Sequence, residues 1–326
     1  MPPLSIFQAA LAALIILFTL FDAFVTILSL RGGGPATSLI SRKLWQLMLF
    51  YHRIKPSHKF LAASGPLLMI VIVAFWYGML YLGWFLLFQS AEANIVNSNT
   101  LTAASNLDKL YFTGVTLSGL GYGDVTANHF PWTLLSTLAV STGTLLTSLG
   151  LSYIIAVVPV ALEKRQLATQ INSVVDDRGG IVERLDDKAS VDFVWQKLFD
   201  IQLNGMKFST KYGAYPVVAY FHSSQQDSAF SVAYLKAADI LFYIANHPNS
   251  ALRPTPVAVE TVKNLIFAHS ENLRHVVADE STGLERWPDR YQPISSLPQG
   301  DSGLFSWEEY KQLRGLLVTA CLYDGW

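Results

Sequence analysis

Tyr111-Phe112-Thr113-Gly114-Val115-Thr116-Leu117-Ser118-Gly119-Leu120-Gly121-Tyr122-Gly123-Asp124 is the stretch on which the reading of this chain turns. It begins as a helix and ends as something else. Ser105 or Asn106 can cap a helix, Asp108 favours its first turn, and Gly119 ends it. A helix of that length is too short to cross a bilayer, which takes about 20 apolar residues. Past it, glycines at 119, 121 and 123 alternate with Leu120 and Tyr122. Glycine takes φ > 0 freely, so successive peptide carbonyls can turn to one side.

The flanks of this stretch are apolar and long. Three runs, residues 4–30, 66–88 and 131–162, reach the length of a membrane span. The segment of interest therefore lies in a loop between the second and third spans. It must enter the membrane and return, and non-helical backbone at that depth is tolerated only when buried in protein or lining a water-filled path. Charge divides the 326 residues in the same way. Of 23 Lys+Arg and 24 Asp+Glu, only seven and four fall in residues 1–162. The chain reads as a membrane part followed by a soluble part.

Orientation follows from the basic residues. Arg31, Arg42, Lys43, Arg53, Lys55 and Lys59 crowd the segment after the first span, with no acid between 31 and 60. Cytoplasmic loops carry such an excess, so this segment is expected inside, the N-terminus outside, and everything beyond 162 cytoplasmic. The N-terminus lacks the positive region of a secretory signal, so residues 4–30 are read as a retained helix. Gly32-Gly33-Gly34-Pro35 stops that helix. Residues 38–51 mix Leu39, Ile40, Leu44, Trp45, Leu47 and Met48 with Arg42 and Lys43. They read as an amphipathic helix, on the inner membrane face or as a plain linker.

The residues now support a resemblance. Thr116, Ser118, Leu120, Gly121, Tyr122, Gly123 and Asp124 resemble the potassium-channel signature, usually T-x-T-T-V-G-Y-G-D, with Ser118 for Thr and Leu120 for Val. Gly119 departs from it, standing where the family has the second threonine of the pair. The resemblance runs over residues 66–162 as outer helix, pore helix, filter and inner helix. It implies a passive potassium-selective channel. Four chains would each supply one quarter of the filter, and potassium ions would be held by the carbonyls of Gly119, Leu120, Gly121 and Tyr122. It implies a homotetramer in the plasma membrane, with no organic cofactor and no nucleic-acid partner. Glycine at 119 keeps the carbonyl ring and deletes a hydroxyl ring. Somewhat poorer discrimination is expected, and Gly119→Thr should sharpen it. A weakly selective monovalent cation channel is one rival reading. A membrane-anchored sensor or assembly protein that conducts little is the other.

The third run adds candidates for a cavity and gate. Gly143 is either a hinge or a close-packing residue. Thr144, Thr147, Leu151 and Ile155 recur at helical spacing. Two hydroxyls above two apolar side chains suit a wet cavity over a hydrophobic constriction. The same threonines can instead bond their own helix backbone. Pro159 should bend the helix. Asp22 is an acid inside the first span with Thr19 and Thr26 on its face, either functional or a hydrogen-bonded packing residue.

The expected fold is all-α. The parts are an N-terminal span (1–34), a basic amphipathic linker (35–62), a pore domain (63–162) and a helical cytoplasmic domain (163–326) for gating or assembly, of unknown ligand. In that last part, Ser190 can cap a helix ending near Gly205. Residues 229–246 have helical periodicity, Thr255-Pro256 opens a helix to about 277, and Ser306-Trp307-Glu308-Glu309 forms a capping box. Residues 281–303 read as a loop, and no alternating strand pattern is found. No span carries Arg or Lys at every third position, so a charge-based voltage sensor is not expected. The G-x-G-x-x-G nucleotide fingerprint is missing. No catalytic constellation stands out, and an enzyme is the least expected class. Cys321 is the single cysteine, which rules out an intrachain disulfide. His222, His247, His269 and His275 are scattered and read as ordinary surface or core residues.

Overall fold

The structure, a computed structural model, describes residues 3–29, 32–175, 181–277 and 305–326. Arg31, the expected loop at 281–303 and the side chains of His269 and His275 lie outside the described residues. The helices are α1 (Pro3–Leu28), α2 (Pro35–Ile54), α3 (His58–Ala62), α4 (Ser64–Gln89), α5 (Asn106–Ser118), α6 (Trp132–Val174), α7 (Lys188–Ala214), α8 (Phe230–Ala245), α9 (Pro256–Val277) and α10 (Trp307–Tyr323). They form two compact units, Met1–Lys43 with Leu67–Ala156, and Leu44–Pro66 with Val157–Trp326. The divisions fall inside α2, α4 and α6.

Among the described residues, three helices are long and apolar enough to cross a membrane: Ser5–Leu28, Ser64–Gln89 and Trp132–Val174. Phe7, Leu14, Leu17 and Phe21 of α1 are exposed, as side chains facing lipid are. The chain is a multi-span helical membrane protein. α6 has 43 residues. At 1.5 Å per residue it is about 65 Å long, twice the hydrocarbon thickness of about 30 Å. Its C-terminal part must therefore stand clear of the bilayer core.

In the first unit, the buried acid of α1 has a definite task. Asp22 Oδ1 accepts from the Ala36 amide (2.8 Å), and Oδ2 accepts from Thr37 Oγ1 (2.6 Å) and Trp76 Nε1 (2.8 Å). The carboxylate caps the N-terminus of α2, where orphan amides and the helix dipole favour negative charge, and it ties α1 to α4. Thr26 extends the knot. Its hydroxyl donates to Asp22 O (2.7 Å) and accepts from the Gly34 amide (2.8 Å). Of the two sequence readings of Asp22, the hydrogen-bonded packing residue is the one the geometry supports.

Two short strands had no signature in the sequence. β1 (Ile95–Asn97) pairs antiparallel with β2 (Val125–Ala127), Val96 opposite Thr126. Three residues are too few for an alternating pattern to register. The described residues, otherwise all-α, thus carry one small ribbon, which closes the loop around α5.

The second unit packs α8 against α7 and α10, and α9 against α7 and α10. All of α8 except Lys236 is buried, so its apolar periodicity shows only the strongest stripe of a helix enclosed on every side. Asp187, not Ser190, caps α7. Its carboxylate accepts from the Ser190 amide (3.0 Å) and hydroxyl (2.5 Å). The helix also runs through Gly205 to Ala214, because a mid-helix glycine costs only about 1 kcal/mol and buried Trp195, Leu198, Phe208 and Tyr212 hold both sides of it. The capping box at Ser306 and Glu309 forms as expected. Deep in the unit, Arg314 Nε and Nη2 donate to the two oxygens of Asp239 (3.0 and 3.1 Å), and Tyr310 OH donates to Oδ1 (2.6 Å).

Trp45, Met48 and Leu49 of α2 are buried in the second unit. The indole of Trp45 donates to Tyr323 O (3.2 Å) and packs on Tyr220. Leu47, Phe50, Tyr51 and Ile54 remain exposed. The helix therefore has two apolar stripes, and the protein itself covers one of them.

Candidate functional site

The site is built around α5. Ser105 caps it, accepting from the Asp108 amide (3.2 Å), while Asp108 Oδ2 accepts from the Ser105 amide (3.0 Å). Three contacts hold it from outside. Tyr81 OH of α4 donates to Leu110 O (2.5 Å), Phe88 meets Phe112 edge to face (5.2 Å), and buried Lys109 donates to Ala91 O. Trp84 Nε1 donates to Thr142 Oγ1 (3.0 Å), fixing α4 to α6.

α5 stops in a Schellman turn. The Gly119 amide donates to Thr116 O and the Leu120 amide to Val115 O, both at 3.1 Å. Gly119 sits in the left-handed region at φ 74° and ψ 11°. Gly121 and Gly123 are also at positive φ, 59° and 79°. The glycines thus supply, at every second residue, a backbone turn that side-chain-bearing residues rarely make. Leu120 and Tyr122 between them are 60 % and 67 % exposed in the single chain. The far end is anchored to the hairpin. Ser98 Oγ donates to Gly123 O (2.6 Å), and the Ser98 amide donates to Asp124 O (2.9 Å).

Behind the segment is an open concavity of about 420 Å³. Gly119, Gly121 and Gly123 line it, with Val115 and Thr116 of α5 and Thr137 and Val140 of α6. Thr116 is buried; Ser118 is exposed and donates to Val115 O (3.0 Å). On α6, Gly143 lets α5 approach so closely that a Cβ there would overlap the Leu117 carbonyl. Thr144, Thr147, Leu151 and Ile155 are all exposed on one face of the helix. Ser148 and Ser152 join that exposed face, two hydroxyls that the reading of the sequence passed over. Thr147 Oγ1 donates to Gly143 O (2.9 Å), so this threonine does bond its own backbone. Pro159 lies inside α6, which continues past it.

Residues 67–159 match the protein-family model described as "Ion channel". The matched family is one of ion transport rather than catalysis, and its span takes in α5, the glycine segment and most of α6. The chain is also 28 % identical over 217 residues to the membrane protein YdjJ of Bacillus subtilis (strain 168). That alignment covers 65 % of this chain and 62 % of the relative's length. No solved structure matches. Among the described residues, no group of three or more His, Cys, Asp or Glu is placed to hold a metal ion.

One assembly of titratable groups was not legible as such in the sequence. His58, His222, Asp324 and Lys164 meet in the second unit, although 266 positions separate the first from Asp324. Their spacing along the chain carries no signal, because α3, the end of a 3-10 turn (Pro216–Tyr220), α6 and the C-terminal residues deliver them separately.

Proposed function

We propose that this chain is one subunit of a homotetrameric, potassium-selective channel in the plasma membrane. The observation that carries the proposal is the glycine segment. Positive φ at 119, 121 and 123 lets successive carbonyls point to one side of an extended run, the arrangement that replaces an ion's hydration shell when four copies surround an axis. Leu120 and Tyr122 are exposed and the concavity behind them is open, as expected of a surface that neighbouring subunits would cover. In this reading Thr116, Ser118, Gly119, Leu120, Gly121, Tyr122, Gly123 and Asp124 form the filter, and potassium ions bind the carbonyls of residues 119–122. The exposed face of α6 lines the cavity and gate. Thr144 and Thr147 form its wet part, Leu151 and Ile155 its constriction, and Gly143 and Pro159 set the course of the helix. Residues 31–60 and 163–326 face the cytoplasm and the N-terminus faces outside. The second unit acts on the pore through α6 or aids assembly.

Gly119 favours a second reading, a weakly selective monovalent cation channel, since the ring of threonine hydroxyls has no counterpart there. One experiment separates the two. Purified protein in a planar bilayer with potassium on one side and sodium on the other gives a reversal potential displaced toward potassium for the first reading and near zero for the second. No current in either solution overturns both.

A further inference from the structure

The second unit contains a buried polar cluster with an unfilled bond at its centre. His58 Nδ1 of α3 lies 3.0 Å from His222 Nε2, so a single proton joins the two rings. On its other side, His222 Nδ1 has no hydrogen-bond partner although the side chain is fully buried. It faces Asp324 Oδ1 at 3.7 Å, and that oxygen also has no hydrogen bond. Asp324 Oδ1 stands 3.9 Å from Lys164 Nζ, while Oδ2 accepts from Ser231 Oγ at 2.9 Å. Lys164 in turn donates to the carbonyls of Ala219 (3.2 Å) and Phe221 (3.1 Å). Asp324, His222 and Lys164, with Arg165, line a cavity of about 210 Å³.

A separation of 3.7 Å is too long for a hydrogen bond, and an imidazole lone pair facing a carboxylate would hold the two apart. A proton on Nδ1 reverses the sign of that contact. Buried polar atoms are otherwise nearly always paired, so this pair of orphans is poised for one change. We propose that the cluster is a proton-operated clasp on α6. When His222 takes a second proton, Nδ1–H donates to Asp324 Oδ1 and the gap closes into a charge-assisted bond of about 2.7–2.9 Å. The new cation then stands beside Lys164 and draws Asp324 away from it. Lys164 belongs to the helix that runs unbroken from Thr144 and Thr147, and it loses its carboxylate as the proton arrives.

The other groups around His222 fit that division of labour. His58 faces it from α3, with the His52 ring of α2 packed 4.8 Å beyond. Lys164 and Arg165 face it from α6 and Asp324 from beyond α10; Trp326 stacks on it. Burial and the nearby Asp324 charge hold the Tyr212 phenol well above its usual range and push the Cys321 thiol up, so both stay neutral. Histidine is thus the cluster's one type of group that ordinarily changes charge between about pH 5 and 8.

The test is hydrogen–deuterium exchange of the full chain in nanodiscs from pH 8.0 to 5.5, corrected for intrinsic exchange, with ion flux measured in parallel. Peptides covering residues 160–175 should exchange several-fold faster at the acidic end. His222→Gln and Asp324→Asn should each flatten that profile. A flat wild-type profile, or an unchanged slope in both variants, overturns the clasp. Should both variants fail to assemble, the wild-type profile together with that of His58→Gln decides. The effect of the clasp on conduction rests on the channel reading, but the exchange profile does not. Acid-sensitive exchange without flux would keep the clasp and sink the channel, and flux with flat exchange would do the reverse.

Discussion

Asp22 and Asp324 are both buried acids, and their surroundings differ in kind. Both oxygens of Asp22 are satisfied by donors from α2 and α4. Asp324 has one oxygen bonded to Ser231 and the other facing His222 and Lys164 across gaps of 3.7 and 3.9 Å. A fully satisfied buried carboxylate has a single arrangement and acts as a bolt. A half-satisfied one keeps an open acceptor, which a proton on a neighbouring ring can fill. The number of unfilled bonds, rather than burial alone, marks the second as the place where the molecule can change state.

Asp239 sharpens the contrast, since it too is fully satisfied, by Arg314 and Tyr310. Arg314→Met leaves that carboxylate buried without its counter-charge. A loss of about 3–5 kcal/mol is expected, read as a fall of roughly 10 °C or more in the melting midpoint of the full chain in detergent. A fall of one or two degrees would show that water reaches Asp239 in the variant.

Asp22→Asn is the next largest. The structure surrounds the carboxylate with donors, and an Asn amide would point its own N–H groups at one set of them. The expected cost is about 3 kcal/mol, from charged hydrogen bonds worth roughly 1.5–3 kcal/mol each. A melting midpoint within a degree of wild type would remove Asp22 from the class of bolts.

Gly119 carries a smaller penalty. A side chain held in the left-handed region costs about 1–2 kcal/mol, so Gly119→Ala should lower the thermal stability of the assembled protein by about that amount per chain. Gly119→Thr, β-branched, should lower it further. The expectation that threonine here sharpens selectivity is therefore joined by one of weakened assembly, because φ is 74°. A stable Gly119→Thr protein with improved potassium preference would restore the simpler reading.

The smallest effect belongs to Asp324 itself. Burial alone would raise its carboxyl, but Lys164, His222 and Ser231 outweigh that and leave it below the ordinary range of an aspartate. A carboxyl depressed in the folded state contributes stability that is fully present above its unfolded pKa and is lost as pH falls through the folded one. Melting midpoints of wild type and Asp324→Asn should therefore differ most near pH 5, where the clasp is closed and the carboxylate is still charged, and converge below about pH 4. A difference that still grows below about pH 4 would reverse the sign of the shift.

Much of this molecule was legible in local signals. The spans follow from runs of apolar residues, because a bilayer imposes a length that composition alone can meet. The start and stop of α5 follow from Ser105, Asp108 and Gly119, because caps are short-range hydrogen bonds between residues three or four apart. The capping box at Ser306 and the helix opened by Pro256 are legible for the same reason. Three-residue strands carry no periodicity, so β1 and β2 were invisible. Asp187 took the cap assigned to Ser190 because two nearby residues can each serve, and only the backbone path selects one. Which apolar stripe of α2 the protein covers was decided by Tyr220 and Tyr323, far along the chain. The partners of Asp22, and the meeting of His58, His222, Asp324 and Lys164, were likewise decided by tertiary structure alone. These contacts join elements whose separation in sequence is arbitrary, and no spacing rule links residues that only packing brings within 4 Å.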